Sequence, residues 1–288
     1  MTDHSNSAQA HAHRSADVTP ESIRSMYFQR YREALPTQQW NETLSLLLQH
    51  RSIRSFLSTP LPEGTIEALV AAASSAPTSS NVQAWSVVAV TDPVTRAQLS
   101  EVAGNQRHIV DAPLILVWIA DLARADAIGA AAGQKLQSLD FTETAIVAIV
   151  DAALAAQNAL TAAESLGLGT VYIGALRNDP ERVAALLGLP QRAWAVAGLV
   201  VGHPDPAVQT AVKPRLPQRA VLHRERYQPD QHTAIADHDR ATAAFRDEQG
   251  LPPQSWSQLI LGRLGPISAL KGRDRLRQAL AKLGVPLV

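Results

Sequence analysis

Residues 50–56 read His50-Arg51-Ser52-Ile53-Arg54-Ser55-Phe56, and residues 213–217 read Lys213-Pro214-Arg215-Leu216-Pro217. Each stretch packs cations and hydrogen-bond donors into a few positions beside apolar anchors. The chain as a whole is neutral, with 26 lysines and arginines against 26 aspartates and glutamates. Two such concentrations in a neutral chain suggest one small dianionic group gripped from two sides. A terminal phosphate is the obvious candidate. Arginine suits it, because the planar guanidinium can bond two phosphate oxygens at once. The bland alternative is a set of surface arginines and a loop lysine with no ligand.

A chain of 288 residues can bury a substantial core and fits one large or two modest domains. Its charge balance argues against nucleic acid as a partner, since polyanion binders carry a basic excess. Cysteine is absent, which excludes disulfides, thiol catalysis and thiolate metal ligands; no metal site is expected. The N-terminus lacks a signal-peptide core. The apolar region Ala145 to Leu160 is broken by Asp151, Gln157 and Asn158, and reads as too polar and too short to span a bilayer. A cytoplasmic protein with no membrane partner is expected. Residues 1–18, with His4, His11 and His13, read as a disordered tail.

Residues 20–34 read as a short helix opened by Pro20 and Glu21. Pro62 and Glu63 open another, with Ile66, Leu69, Val70 and Ala73 on one face. Strands are expected at Trp85–Thr91, Pro113–Ala120, Thr170–Ile173 and Trp194–Val201. Asp92-Pro93 and Asp179-Pro180 start helices that end near Gly104 and Gly188. Asp140 and Glu143 resemble a capping box ahead of the longest helix, which Gly167 stops. Its alanine-rich surface allows close helix–helix approach. Residues 202–231 form a proline-rich irregular excursion, followed by helical segments near 232–247, 255–262 and 273–283. Gly167-Leu168-Gly169 precedes a strand rather than a helix, so a Rossmann reading fails on context.

Five separated pieces occur in one order: HRSIRSF at 50–56, APTSSNVQ at 76–83, NQRH at 105–108, AQNALTAAESLGLGTVYIGALRN at 156–178, and KPRLP at 213–217 followed by HRERYQP at 223–229. Together they resemble the FMN-dependent nitroreductase/flavin reductase family, and within it the NADPH-dependent, oxygen-insensitive major nitroreductase subgroup. The resemblance implies an α+β fold: a mixed, largely antiparallel sheet surrounded by helices, in an intertwined homodimer with FMN at the subunit interface. It divides the chain into an N-terminal extension (1–40), partly disordered, an FMN-binding core with a dimer-embracing arm (41–231), and a C-terminal helical excursion (232–288). The long helix would help to form the dimer interface.

By the same resemblance, His50, Arg51 and Ser52 bind the phosphate and ribityl chain, and Lys213 and Arg215 close on the phosphate from the other side. Arg54 lies near the N1–C2 carbonyl edge, where a fixed cation stabilises the reduced anion. Gln106 can both donate to and accept from the pyrimidine edge. Ser79 and Ser80 bond from the second subunit. Tyr172, Ile173, Gly174 and Ala175 pass close to the ring near N5. No protein acid or base is required, because hydride moves from the nicotinamide to flavin N5. Ala175 stands where the subgroup more often has a second glycine, and Pro77 and Asn81 also depart from its pattern.

The implied activity is an FMN-dependent NAD(P)H oxidoreductase working by a ping-pong mechanism on small electron acceptors, nitroaromatics and quinones. The alternatives are a flavin reductase supplying free reduced FMN, or a redox-silent flavin-binding protein. The subgroup's basic loop for the NADPH 2′-phosphate corresponds to Phe245–Trp256. It keeps Arg246 as the nicotinamide-binding cation, but Asp247 and Glu248 follow, and Pro252 and Pro253 replace further arginines. NADH is therefore expected to be accepted beside NADPH.

Overall fold

The computed structural model describes residues 19–288; the expected tail and its three histidines lie outside them. Helices α1 (Pro20–Tyr31), α2 (Glu42–Gln49) and α3 (Thr65–Ser74) precede β1 (Trp85–Val90). Then come α4 (Pro93–Val102), α5 (His108–Asp111), β2 (Leu114–Asp121), α6 (Ala123–Ala131), α7 (Thr142–Ser165), β3 (Gly169–Ile173), α8 (Pro180–Leu187) and β4 (Ala193–Gly202). The chain finishes with α9 (Gln218–Val221), α10 (His232–Glu248), α11 (Trp256–Leu264) and α12 (Leu276–Lys282).

The four strands form one sheet in the order β1-β2-β4-β3, and every neighbouring pair is antiparallel. β2 is buried from Leu114 to Ala120. An unbroken apolar run suits a central strand covered on both faces. Ser52 pairs in parallel with Thr170 at the β3 edge, and the Ile53 N–H donates to the Thr170 carbonyl at 2.9 Å. The architecture is α+β, a largely antiparallel sheet with one parallel contact, wrapped by helices.

Helix α7 organises one face. Ala148, Ala152, Ala155, Ala156, Ala159 and Ala163 are buried, and several of them pack with Leu69 and Ala73 of α3 and with Leu116 and Trp118 of β2. Small side chains let α3 and the sheet approach α7 closely. The alanine face is thus used within the chain. On other sides of the helix Ile146, Ile149, Val150 and Leu154 remain exposed. At 24 residues α7 is longer than the apolar run suggested, and by length and composition alone it could cross a bilayer. Its buried Asp151 and its place between α3 and the sheet make it a core helix.

Two helix starts differ from expectation. Phe141, not Asp140, occupies the N-cap of α7 and makes no side-chain cap bond. Asp140 instead accepts from Arg192 Nη2 at 2.8 Å. A guanidinium from a distant segment outcompetes the local backbone. α3 begins at Thr65 rather than at Pro62. Gly64 turns the chain at φ +79°, and the Thr65 hydroxyl donates to the Pro62 carbonyl at 2.6 Å. The C-terminal helical segment also returns to the core: Leu280, Leu283 and Val285 are buried with Trp194 and Ala145.

Candidate active site

The segment 50–56 is pinned by its apolar residues and presents its cations outward. Ile53 and Phe56 are buried, whereas Arg51 and Arg54 are exposed. Two glycines make the seat. A Cβ at Gly169 would come within 2.9 Å of the Ile53 Cβ, and one at Gly202 within 2.9 Å of the Phe56 ring. Glu164, near the end of α7, fixes the remaining edge. Its Oε1 lies 2.6 Å from His50 Nδ1 and accepts from the Thr170 hydroxyl at 3.0 Å. His50 is thus tied through Nδ1, and only its Nε2 is left for a ligand. Ser52 is half-buried beside Thr170.

The second cationic stretch meets the first. Arg51 Nε donates to the Thr210 hydroxyl at 3.1 Å. Pro214 and Pro217 are buried, and Lys213 and Arg215, on either side of Pro214, are exposed. Burial holds the Lys213 ammonium below its ordinary pKa, and the charges of Arg54, Arg215 and Arg246 lower it further. Among the described residues, none of Arg51, Arg54, Lys213, Arg215 and Arg246 forms an ion pair, whereas Arg219, Arg240 and Arg275 do. Arg54, Arg215 and Arg246 all act on Lys213 with like charge, so this cluster favours an anion. A mononucleotide phosphate fits this donor set. A cleft of about 300 Å³ opens on the other side of Arg51, but it contains Asp205. That carboxylate opposes an anion, whereas the Lys213–Arg215 side carries none.

The other expected residues vary in how free they are. Gln106 Nε2 donates to the Ala103 carbonyl at 2.9 Å, leaving Oε1 available. The neighbouring His108 is buried, its Nε2 has no partner, and burial followed by the Arg54 charge pushes its pKa down. Tyr172 is exposed on β3, while the Ile173 side chain lies in the core, so only the Ile173 backbone can face a ligand. Ala175 packs half-buried on the same core. A Cβ at Gly174 would first meet the Arg177 guanidinium, at 3.2 Å.

Ser79 and Ser80 lie on a short exposed turn. Ser80, Asn81 and Gln83 all have positive φ, between 50° and 56°, an arrangement costing about 1 kcal/mol or more per residue. A fully buried carboxylate holds it: Asp151 of α7 accepts from the Ser79 and Ala84 N–H groups at 3.0 and 3.1 Å. Asp151 and Glu164 are about 20 Å apart along α7 at 1.5 Å per residue. Within one chain, the Ser79–Ser80 turn and the His50–Ser52 segment are therefore anchored far apart.

Arg246 closes α10, its Nε donating to the Pro252 carbonyl at 2.6 Å. Of the two carboxylates that follow it, Glu248 is not free. Arg32 grips it with both nitrogens, at 3.0 and 2.7 Å, and holds its carboxyl below the ordinary range. Sequence reasoning missed Arg32, Glu164 and the function of Asp151, and also Arg30, a buried arginine on α1. The one available signal was the spacing of Tyr27 and Arg30, which turn inward together from α1.

Comparison with known proteins places this fold. The nitroreductase family model matches residues 47–203, and the family's C-terminal domain model matches residues 213–288. The "FMN reductase (NADPH)" of Bacillus subtilis strain 168 is 40% identical over 228 residues, spanning 77% of this chain and 90% of that protein. The "NADPH-flavin oxidoreductase" of Vibrio harveyi is 38% identical over 226 residues, spanning 78% and 91%. Among solved structures, Bacillus megaterium NfrA2 superposes with a TM-score of 0.81 at 36% identity, over 86% of this chain and 100% of that one. The Vibrio harveyi NADPH:FMN oxidoreductase complexed with NAD+ gives 0.77 at 36% identity, over 85% and 99%. The chain belongs to the nitroreductase family.

Proposed function

We propose that this chain is an FMN-dependent NAD(P)H oxidoreductase that reduces flat, electron-poor acceptors such as nitroaromatics and quinones in a ping-pong cycle. The observation that carries the proposal is the cluster of unpaired cations from two distant segments, in a chain of this family. Bound FMN supplies the two-electron chemistry, taking hydride from a reduced nicotinamide and giving it to the acceptor. Arg51, Lys213 and Arg215 hold the phosphate, and Arg54 stabilises negative charge on the ring edge. Gln106 and the backbone of residues 172–175 position the ring. His108, buried and with a lowered pKa, remains neutral and is assigned no proton transfer.

The active unit is a homodimer in the cytoplasm. Two features support the dimer: the Ser79–Ser80 turn is anchored far from His50–Ser52 within one chain, and α7 leaves Ile146, Ile149, Val150 and Leu154 uncovered. A contiguous aliphatic face of this kind marks an interaction surface. Sedimentation of the FMN-bound protein is expected to give a dimer. A monomer that retains flavin contradicts a site built from two chains.

A flavin reductase delivering free reduced FMN is the second reading, favoured by relatives named for flavin reduction. Steady-state NAD(P)H oxidation with a nitroaromatic, a quinone and added FMN separates the two: turnover only with free flavin establishes the reductase. The same assay tests nicotinamide choice. Arg246 reads the 2′-phosphate and Asp247 opposes it, while Glu248 is neutralised by Arg32. NADPH preference is therefore modest. Arg246→Ala raises KM for NADPH more than for NADH, and Arg32→Ala, by freeing Glu248, lowers kcat/KM for NADPH selectively. A wild-type preference above about a hundredfold, near 2.7 kcal/mol, contradicts this.

A further inference from the structure

The family match begins at residue 47, yet α1, well before it, reaches the centre of the phosphate cluster. Arg30 is 4% exposed. Its Nε and Nη2 donate to the Leu48 carbonyl at 3.2 and 2.8 Å, and Nη2 also donates to the His50 carbonyl at 2.5 Å. Its Nη1 donates to the Lys213 carbonyl at 2.9 Å. In return the Arg30 carbonyl accepts from the Arg215 N–H at 2.8 Å. One side chain thus ties the main chain of both cationic segments together, across more than 160 residues of sequence.

Besides Arg30, the Lys213–Arg215 stretch is held by its buried prolines, Pro214 and Pro217, and by His238. Residues 209–216 belong to no helix or strand. Among the described residues, their main chain bonds Arg30 twice, through the Arg215 N–H and the Lys213 carbonyl, and the Arg215 backbone also bonds the His238 ring. Other ties link the same helix to the same region. Glu33 pairs with Arg219, which also pairs with Asp237 of α10. Among the described residues, Arg30 has no carboxylate partner. Burial, and then the charge of Arg215, push its pKa down to about 10, so it stays charged and adds to the positive field of the cluster.

We propose that α1 is a clasp on the cofactor-phosphate site and that Arg30 is its positioning residue, setting Lys213 and Arg215 against His50 and Arg51 without touching the cofactor. The inference rests on the assignment of the phosphate to this cluster. It predicts a specific loss of phosphate recognition, not a general loss of flavin affinity. A guanidinium can span three carbonyls in a fixed plane; neither a glutamine nor a lysine can.

The test compares FMN with riboflavin, which lacks the phosphate, by fluorescence titration of the full-length protein and of Arg30→Gln, Arg215→Ala and the double variant. Arg30→Gln is expected to reduce the wild-type preference for FMN over riboflavin at least tenfold while leaving riboflavin affinity within about twofold. Arg215→Ala is expected to cost less in the Arg30→Gln background than in wild type, because the two act through one contact set. If Arg30→Gln does not fold, Arg30→Lys keeps the buried charge, loses the bridge and serves the same comparison. A wild-type FMN-to-riboflavin ratio in the Arg30 variants, with that ratio lost in Arg215→Ala, overturns the clasp and leaves the phosphate assignment standing. An unchanged ratio in Arg215→Ala as well overturns both.

Discussion

Arg215→Ala and Arg51→Ala are each expected to weaken FMN binding by about 1.5–3 kcal/mol, roughly 10- to 150-fold. The two residues come from distant parts of the chain and are proposed to hold one dianion. Neither has a carboxylate partner to lose, so removing either takes away attraction to the ligand and nothing that offsets it. Their neighbours also matter. Lys213 is already held below its ordinary pKa by burial and by Arg54, Arg215 and Arg246. A bound phosphate relieves that repulsion, and each deleted cation leaves less repulsion to relieve. The double variant is therefore expected to bind FMN more weakly than either single variant, by somewhat less than the sum. The loss should narrow as salt is added, because exposed cations are screened. Fluorescence titration with FMN measures all of this. Unchanged affinity in both single variants means that the phosphate is held elsewhere.

Asp151→Ala is expected to destabilise the protein by about 2–5 kcal/mol, since it orphans two backbone N–H groups at once. The carboxylate is fully buried and bonds the Ser79 and Ala84 N–H groups, the two ends of a loop with three non-glycine residues at positive φ. Without it those donors have no partner and the loop has no reason to keep its strained course. For a protein of this size the change corresponds to a fall of about 3–8 °C in the thermal midpoint. Asp151→Asn keeps one acceptor and turns a donor toward the other N–H, so it should fall between wild type and alanine. FMN retention should fall with stability, because Ser79 and Ser80 are proposed to reach the flavin of the partner subunit. A thermal midpoint unchanged in Asp151→Ala contradicts the assigned role.

Features whose cause lies within a few residues were legible in the sequence. Asp92 caps α4 ahead of Pro93. Gly167 and Gly188 end their helices with positive φ. The apolar run around Leu114–Ala120 became the central strand. The basic residues of the site were legible for a similar reason, since phosphate recognition restricts residue type and two dense cationic stretches stand out in a neutral chain. Features fixed by distant partners were hidden. Asp140 looked like a helix cap until Arg192 claimed it. Asp151 read as a polar interruption in an apolar helix, because the two N–H groups that need it lie about 70 positions earlier in the chain. Glu248 read as a free carboxylate beside Arg246 until Arg32 arrived from the other end of the chain. Helices α2 and α6 also escaped notice; α6 has almost no one-sided pattern and buries only Gly129.

The central claim, that this fold holds FMN for reduction by a nicotinamide, is tested most directly by adding NADPH or NADH anaerobically to the FMN-reconstituted protein while recording its visible spectrum. The account predicts a yellow protein that bleaches on addition of stoichiometric nicotinamide and recovers its colour when a quinone is admitted. A protein that stays colourless after incubation with FMN, or a yellow one that neither nicotinamide bleaches, contradicts it.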